Sequence, residues 1–229
     1  MIVKRAAGER GHFNFGWLDT FHTFSFGDYF DPAQMGFRAL RVINEDFVQP
    51  GNGFPMHGHR DMEIVTYVLE GQLEHSDSAG NHGVIAPGEI QRISAGKGIR
   101  HSEFNPSQTE RVHLYQIWLE PSAKGLNPGY EQRNIGQAGM RLLVASPDGR
   151  NGSAKINRDA TIEAVKLEAD EVFVNDLKAD RHAWVQVIRG RLMQGSTELQ
   201  AGDGLAISNE PRFELKAVAE SELLIFDLD

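Results

Sequence analysis

A succession of short apolar runs, each period-two or β-branched and each closed by glycine or proline, constrains this chain more than any other feature. In Arg111–Trp118, His113, Tyr115 and Ile117 fall on one face of a strand and Leu114, Gln116 and Trp118 on the other. Glu63–Leu69 is β-branched and aromatic and runs into the turn signal Glu70-Gly71. Arg38–Ile43, Trp184–Ile188, Leu205–Ser208 and Leu223–Leu228 read the same way. Ala160–Leu167 has room for a turn or two of helix but is better read as a strand, and no stretch carries a long amphipathic helix. Many short strands joined by Gly/Pro turns close into a sandwich or a barrel, so the expected class is all-β.

The pattern occurs twice. Tyr67-Val-Leu-Glu-Gly71-Gln-Leu73 followed by Ala86-Pro-Gly88-Glu-Ile90 is answered by Gln186-Val-Ile-Arg-Gly190-Arg-Leu192 followed by Ala201-Gly202-Asp203-Gly204-Leu205. Two copies of one β-fold account for this, with a longer insert in the first hairpin. The turn-rich stretch Pro121–Gly129 is the expected link, which gives two tandem β-barrel domains over residues 1–130 and 131–229. The copies differ in chemistry. Eight of the nine histidines lie at or before His113, and eleven of the twenty aromatic residues lie within the first 54 positions, so histidine chemistry belongs to the first copy.

Charge and composition remove several classes of function. A net charge of −9 argues against direct nucleic-acid binding and against an anionic membrane surface. The absence of cysteine excludes disulfides, thiolate zinc sites and a cysteine nucleophile. No apolar run approaches the roughly 18 residues of a membrane span, and Met1–Arg10 lacks the apolar core of a secretion signal. The expectation is a soluble, cytoplasmic protein, a monomer by default.

Two short segments carry the chemistry. In His57-Gly58-His59 the imidazoles stand at i and i+2, on one face of a strand; His101-Ser102-Glu103 repeats the spacing with an imidazole and a carboxylate. Pairing the two segments, at a strand spacing of about 4.8 Å, converges three nitrogens and one carboxylate. That set suits one borderline divalent cation and leaves positions open for water, substrate or O₂. His12 and His22 fall in an aromatic block and read as packed or hydrogen-bonded; His75 and His82 flank a loop signal and are expected to face water; His113 reads as a packed residue and Gln116 as a hydrogen-bonder lining the pocket. Arg181-His182-Ala183 stands where the second copy would need its own His-x-His, so that copy is expected to hold no metal. Ala95-Gly-Lys-Gly98 fails the full phosphate-loop pattern at Gln91 and Gly98.

The flanks extend these segments into family motifs. Gly51-x₅-His57-x-His59-x₃-Glu63 resembles the first cupin motif, and Gly98-x₂-His101-x₃-Asn105 the core of the second. Arg10-Gly-His12, Gly16-Trp-Leu-Asp19, His22-Thr-Phe-Ser-Phe26, Leu40-Arg-Val-Ile-Asn44, Met62-Glu-Ile64, Gly98-Ile-Arg-His-Ser-Glu103 and Gln116-Ile-Trp118, in combination, resemble the pirin family, in particular its bacterial quercetin 2,3-dioxygenase-like bicupins. The resemblance implies a bicupin whose ligands are His57, His59, His101 and Glu103, with Glu63 a strand-end or supporting carboxylate. It further implies a metal-dependent dioxygenase that cleaves flavonols such as quercetin with O₂, with Glu103 as the catalytic proton acceptor. Iron is the first choice of ion; cobalt, nickel, manganese, copper and zinc also match the donor set. Some pirins are described as iron-dependent transcriptional cofactors, so a metal- or redox-sensing regulator acting through protein partners is the alternative function.

Overall fold

The structure, a computed structural model, describes residues 1–136 and 141–229. Its strands in the first half are β1 (Ile2–Arg5), β2 (Gly11–Asn14), β3 (Leu18–His22), β4 (Leu40–Val48), β5 (Gly53–His59), β6 (Glu63–Glu70), β7 (Leu73–Asp77), β8 (His82–Ile85), β9 (Glu89–Ser94), β10 (Ile99–Phe104), β11 (Val112–Leu119) and β12 (Gly129–Asn134). The second half has β13 (Arg141–Ser146), β14 (Ala154–Lys155), β15 (Ala160–Leu167), β16 (Val172–Asp176), β17 (His182–Arg189), β18 (Arg191–Gln194), β19 (Thr197–Gln200), β20 (Gly204–Ser208), β21 (Arg212–Ala217) and β22 (Ser221–Leu228). Ala160–Leu167 is a strand, as its β-branched residues favour. The strand expected from Arg38 starts at Leu40, because Arg38 sits in the left-handed region at φ 55°.

Each barrel is a large sheet facing a small one. The first joins β12-β9-β6-β11-β4-β3-β2 to β5-β10-β7-β8; the second joins β1-β20-β17-β22-β15-β13-β14 to β16-β21-β18-β19. All pairings are antiparallel among the described residues except β13 with β14. The turn-rich stretch ending at Gly129 does not carry the chain into the second barrel: β12 returns to pair with β9 of the first, Gly129 opposite Ser94. Conversely β1, from the chain's start, pairs with β20 of the second, Ile2 opposite Ile207. Each unit therefore holds a strand from beyond the other side of the link.

The two large sheets pack back to back. Ile43, Val65, Ile90, Tyr115 and Ile117 of the first meet Ile162, Ala164, Trp184, Leu224 and Phe226 of the second in one buried apolar layer. Phe24 crosses from the first unit to pack against Trp184, the rings tilted at 56° with centroids 4.9 Å apart, and the cross-strand neighbour of Trp184 is Phe226. The interiors differ. The second barrel is filled by Val165, Phe173, Val185, Val187, Leu199, Phe213, Leu215 and Ile225. The first keeps its apolar residues towards two ends, Leu18, Val48, Val68 and Leu73 at one and Ile64, Ile93 and Ile99 at the other, with a polar zone also lining its interior.

Two glycines set the backbone around that zone. A Cβ at Gly53 would lie 2.2 Å from the Glu103 carbonyl oxygen and 2.5 Å from the Phe104 Cα, so only glycine lets β5 approach β10 there. Gly71 turns the chain from β6 to β7 at φ 74°.

Phe226 is fully buried between the barrels. Phe226→Ala is expected to cost about 3–5 kcal/mol by leaving a cavity. Chemical denaturation followed by tryptophan fluorescence measures the loss, and a cost below about 1 kcal/mol would mean that the layer does not hold the barrels together.

Candidate metal centre

The small sheet of the first barrel brings the candidate donors together through register. In the β5–β10 ladder His57 stands opposite His101, and in the β10–β7 ladder His101 stands opposite Asp77 and Glu103 opposite His75. Directly opposed residues share a face of the sheet, so His57, His59, His101 and Glu103 all project into the barrel. The β5–β10 register slips between His101 and Glu103, whose partner is Phe54; the extra residue in β5 falls around Pro55, which has no N–H to donate to the ladder. That bulge frees the Pro55 carbonyl, and it accepts a 2.8 Å hydrogen bond from His57 Nδ1. His57 is thereby held as the tautomer with its Nε2 lone pair available.

The rings of His57, His59 and His101 lie 4.5 to 4.8 Å apart between centroids, and one nitrogen from each falls within a mutual 4.8 Å. Burial, with the His57 charge adding to it, pushes His59 down to about 4. Burial and the neighbouring imidazoles push His101 to about 3. At neutral pH both are uncharged, the form that ligates. Both ring nitrogens of buried His101 lack a hydrogen-bond partner. An orphaned buried nitrogen is costly unless something binds it, and a divalent cation among three imidazoles would take the lone pair of one of these two. The residues present fit a divalent metal ion.

Glu103 is buried beside this cluster and is held by amides. Gln91 Nε2 donates to its Oε1 at 2.6 Å, where Thr66 Oγ1 also donates at 3.5 Å, and Gln116 Nε2 donates to its Oε2 at 2.7 Å, which leaves Oε2 a second lone pair. Those amides belong to a polar row across the large sheet: Asn44 on β4 stands opposite Gln116 on β11, Gln116 opposite Thr66 on β6, and Thr66 opposite Gln91 on β9. Burial raises Glu103 to about 7, with the Asp46 charge adding to it and the Gln91, Thr66 and Gln116 hydrogen bonds opposing it. Asp46, one step along β4 on the same face as Asn44, is raised by burial to about 7 as well.

The cluster opens on a cavity of about 340 Å³ whose lining combines apolar Phe26, Phe54, Pro55, Ile64 and Trp118 with polar Asn44, Asp46, His101, Glu103 and Gln116. Trp118 stands edge-to-face to both Phe26, at 5.2 Å, and His59, at 4.7 Å. An apolar slot with a few convergent polar groups suits a planar, oxygenated aromatic molecule.

The remaining histidines separate. His12 is half-exposed, stacked on Phe21 and bonded to Asp19; His22 is buried between Phe13 and Phe26. His113 packs on Phe47 and bonds to Glu45, and His182 bonds to Ser208 at the boundary between barrels. Glu63 is the first residue of β6 and accepts hydrogen bonds from Ser94 and Asn157, a strand-end carboxylate outside the imidazole cluster. His82 is exposed. His75 departs from the expectation that it faces water: it is fully buried, because β7 continues through Asp77 and the loop begins only after it. Asp46 and Asn44 are pocket residues that the sequence reading misses, although two polar residues on the same face as Val42 and Val48 are a legible signal.

The family model for pirin matches residues 3–119, and that for the quercetinase C-terminal cupin domain matches residues 143–228. The chain belongs to the pirin family. An Escherichia coli K12 pirin relative named quercetin 2,3-dioxygenase is 51% identical over 228 residues, covering 100% of this chain and 99% of the relative. The crystal structure of the E. coli bacterial pirin YhhW in complex with nickel(II) superposes with a TM-score of 0.96 at 51% identity, over 100% of this chain and 99% of that one. YhaK, also from E. coli, gives a TM-score of 0.78 at 31% identity over 93% and 96%.

A carboxyl raised from 4.5 to about 7 keeps its proton longer in the folded pirin than in the unfolded chain. Between those values the native state binds more protons, so this group's contribution to stability falls as pH rises. Buried His59 and His101 contribute in the opposite direction, which makes a difference measurement the clean one. In chelator-treated protein, Glu103→Gln is expected to gain in Tm relative to the parent as pH rises from about 5 to about 8. A difference that stays flat across that window would show that Glu103 titrates normally.

Proposed function

We propose that this protein is a metal-dependent dioxygenase that cleaves flavonols such as quercetin with O₂, its ion held by His57, His59, His101 and Glu103. The observation that carries the reading is a group of three imidazole nitrogens within 4.8 Å of one another, with the buried Glu103 carboxylate within 4.8 Å of a His101 nitrogen, in the lining of an aromatic-rich cavity. Names among the relatives support the substrate class, and the nickel(II) complex of YhhW supports a divalent ion in this fold. We propose iron as the resident ion and the cytoplasm as its compartment.

When bound, the cation supplies Lewis acidity towards an enolisable hydroxyl and electronic access to O₂. The protein's residues do the rest. Phe26, Phe54 and Trp118 receive the planar rings and exclude water from their faces. The flavonol's 3-hydroxyl and 4-carbonyl form its polar edge, which enters towards the imidazoles. Glu103 accepts the 3-hydroxyl proton at a carboxylate oxygen, and the Gln91 and Gln116 amides keep that carboxylate aimed. The enolate so formed is the electron-rich partner of O₂, and ring opening releases carbon monoxide. Gln116→Ala is expected to lower kcat more than it raises KM, because it frees the base without removing an aromatic wall.

The decisive assay follows quercetin loss by absorbance in air. Protein stripped of metal is reloaded separately with Fe(II), Co(II), Ni(II), Mn(II) or Cu(II), with metal-only blanks to subtract autoxidation. Turnover that requires both the protein and an ion is expected, and His101→Ala is expected to abolish metal binding and turnover together. Parent-rate turnover by His101→Ala would overturn the assignment of the site. Folded, metal-loaded protein that leaves every flavonol intact would favour a sensor acting through protein partners.

A further inference from the structure

We propose that His75 is a metal-directed donor, forming with His101 and Glu103 an inner cation position that shares those two residues with the outer centre of His57, His59, His101 and Glu103. The inference rests on the reading of this barrel as a metal centre and adds a residue to it. Four observations carry it.

Register comes first: Glu103 stands opposite His75, and His101 opposite Asp77, so all four side chains share the inward face of β7 and β10. Second, one donor atom each from His75, His101 and Glu103 lies within 4.8 Å of the others, and all three residues are buried. Third, His75 Nδ1 is buried with no hydrogen-bond partner, although His75 is 0% exposed. Fourth, the other nitrogen is spoken for. Asp77 is fixed by the Ala79 and Asn81 backbone N–H groups, both donating to its Oδ1, and by Asn81 Nδ2, donating to its Oδ2. Its Oδ2 lies 3.4 Å from His75 Nε2, so the proton sits on Nε2 and the lone pair on Nδ1. Tyr130 stacks on the ring at 4.6 Å and 15°, which fixes its plane.

A ring held on one face by an aromatic, protonated on the side of a clamped carboxylate and bare on the other, is how proteins aim an imidazole at a cation. Two imidazoles and a carboxylate suit the same borderline divalent ions as the outer set. The positions differ in depth. His57 and His59 are half-buried at the cavity, whereas His75, His101 and Glu103 are enclosed. The Glu103 donor atom lies within 4.8 Å of those of His75 and His101, and the His57, His59 and His101 donors form the second group.

The test uses the full chain with Ni(II) alone, reading affinity by competition with a chromophoric chelator and imidazole number by X-ray absorption at the nickel edge. His57→Ala/His59→Ala is expected to keep one equivalent of Ni(II), bound more weakly than in the parent and with two imidazoles in its shell. Adding His75→Phe, which keeps a ring on Tyr130 but no nitrogen, is expected to weaken that binding at least about tenfold. Circular dichroism and melting curves verify folding, and if the double variant does not fold the same comparison is made in His57→Ala. Equal affinity with and without His75 overturns the inner position, as does a folded double variant that binds no Ni(II). In both cases a parent that binds Ni(II) and loses it on His101→Ala leaves the outer centre standing. A parent that binds no Ni(II) overturns both.

Discussion

The antiparallel register of β5, β10 and β7 is the constraint on which the rest of this protein's chemistry depends. One ladder sets His57 opposite His101, the next sets His101 opposite Asp77 and Glu103 opposite His75, and the pleat turns every one of these side chains inwards. A slip of one residue in either ladder would send the donors to the outer surface and leave an empty barrel. The close approach at Gly53 and the bulge around Pro55 pin that register, and the same bulge supplies the carbonyl that fixes the His57 tautomer. Backbone geometry and metal chemistry are thus set by the same few residues.

The large sheet answers the small one with a row of three amides and a hydroxyl. Asn44, Gln116, Thr66 and Gln91 stand side by side across four strands at one level of the barrel, and two of them grip the carboxylate that faces them. A carboxylate with neither amides nor cation would be too costly to bury; with the amides it remains buried and titrates near neutrality. The second barrel shows the alternative use of the same architecture. Its interior is closed by aliphatic and aromatic side chains, and its large sheet gives its outer face to the layer that contains Phe24, Trp184 and Phe226. One barrel leaves room for a ligand, and the other stabilises the wall behind it.

Strand periodicity makes the all-β class, the internal repeat and the four candidate donors legible in the amino-acid sequence. Ala160–Leu167 and Arg111–Trp118 are strands because β-branched and aromatic residues in alternation have no better way to bury one face. His75 is illegible for a physical reason: the Ser-Asp-Ser-Ala-Gly-Asn composition signals a turn, and the turn is there, but Asp77 closes it with its own side chain and lets the strand run two residues past His75. Asp46 lies in a run, Asn44-Glu45-Asp46, whose charges suggest solvent, although its alternation with Val42 and Val48 places it and Asn44 on the inward face.

The sequence by itself determined which residues alternate, where the chain turns and which side chains have the chemistry to bind a cation, since these depend on local spacing and composition. Only the tertiary structure decided which strands lie side by side. That pairing sets His101 opposite His57 and Glu103 opposite His75, and it carries β1 into the far barrel and β12 back to the near one, while the facing of the two sheets brings Gln91 and Gln116 to Glu103. Strand pairing joins residues far apart in the chain, and the free energy that selects one partner over another comes from burying whole faces at once, which no short window of sequence contains.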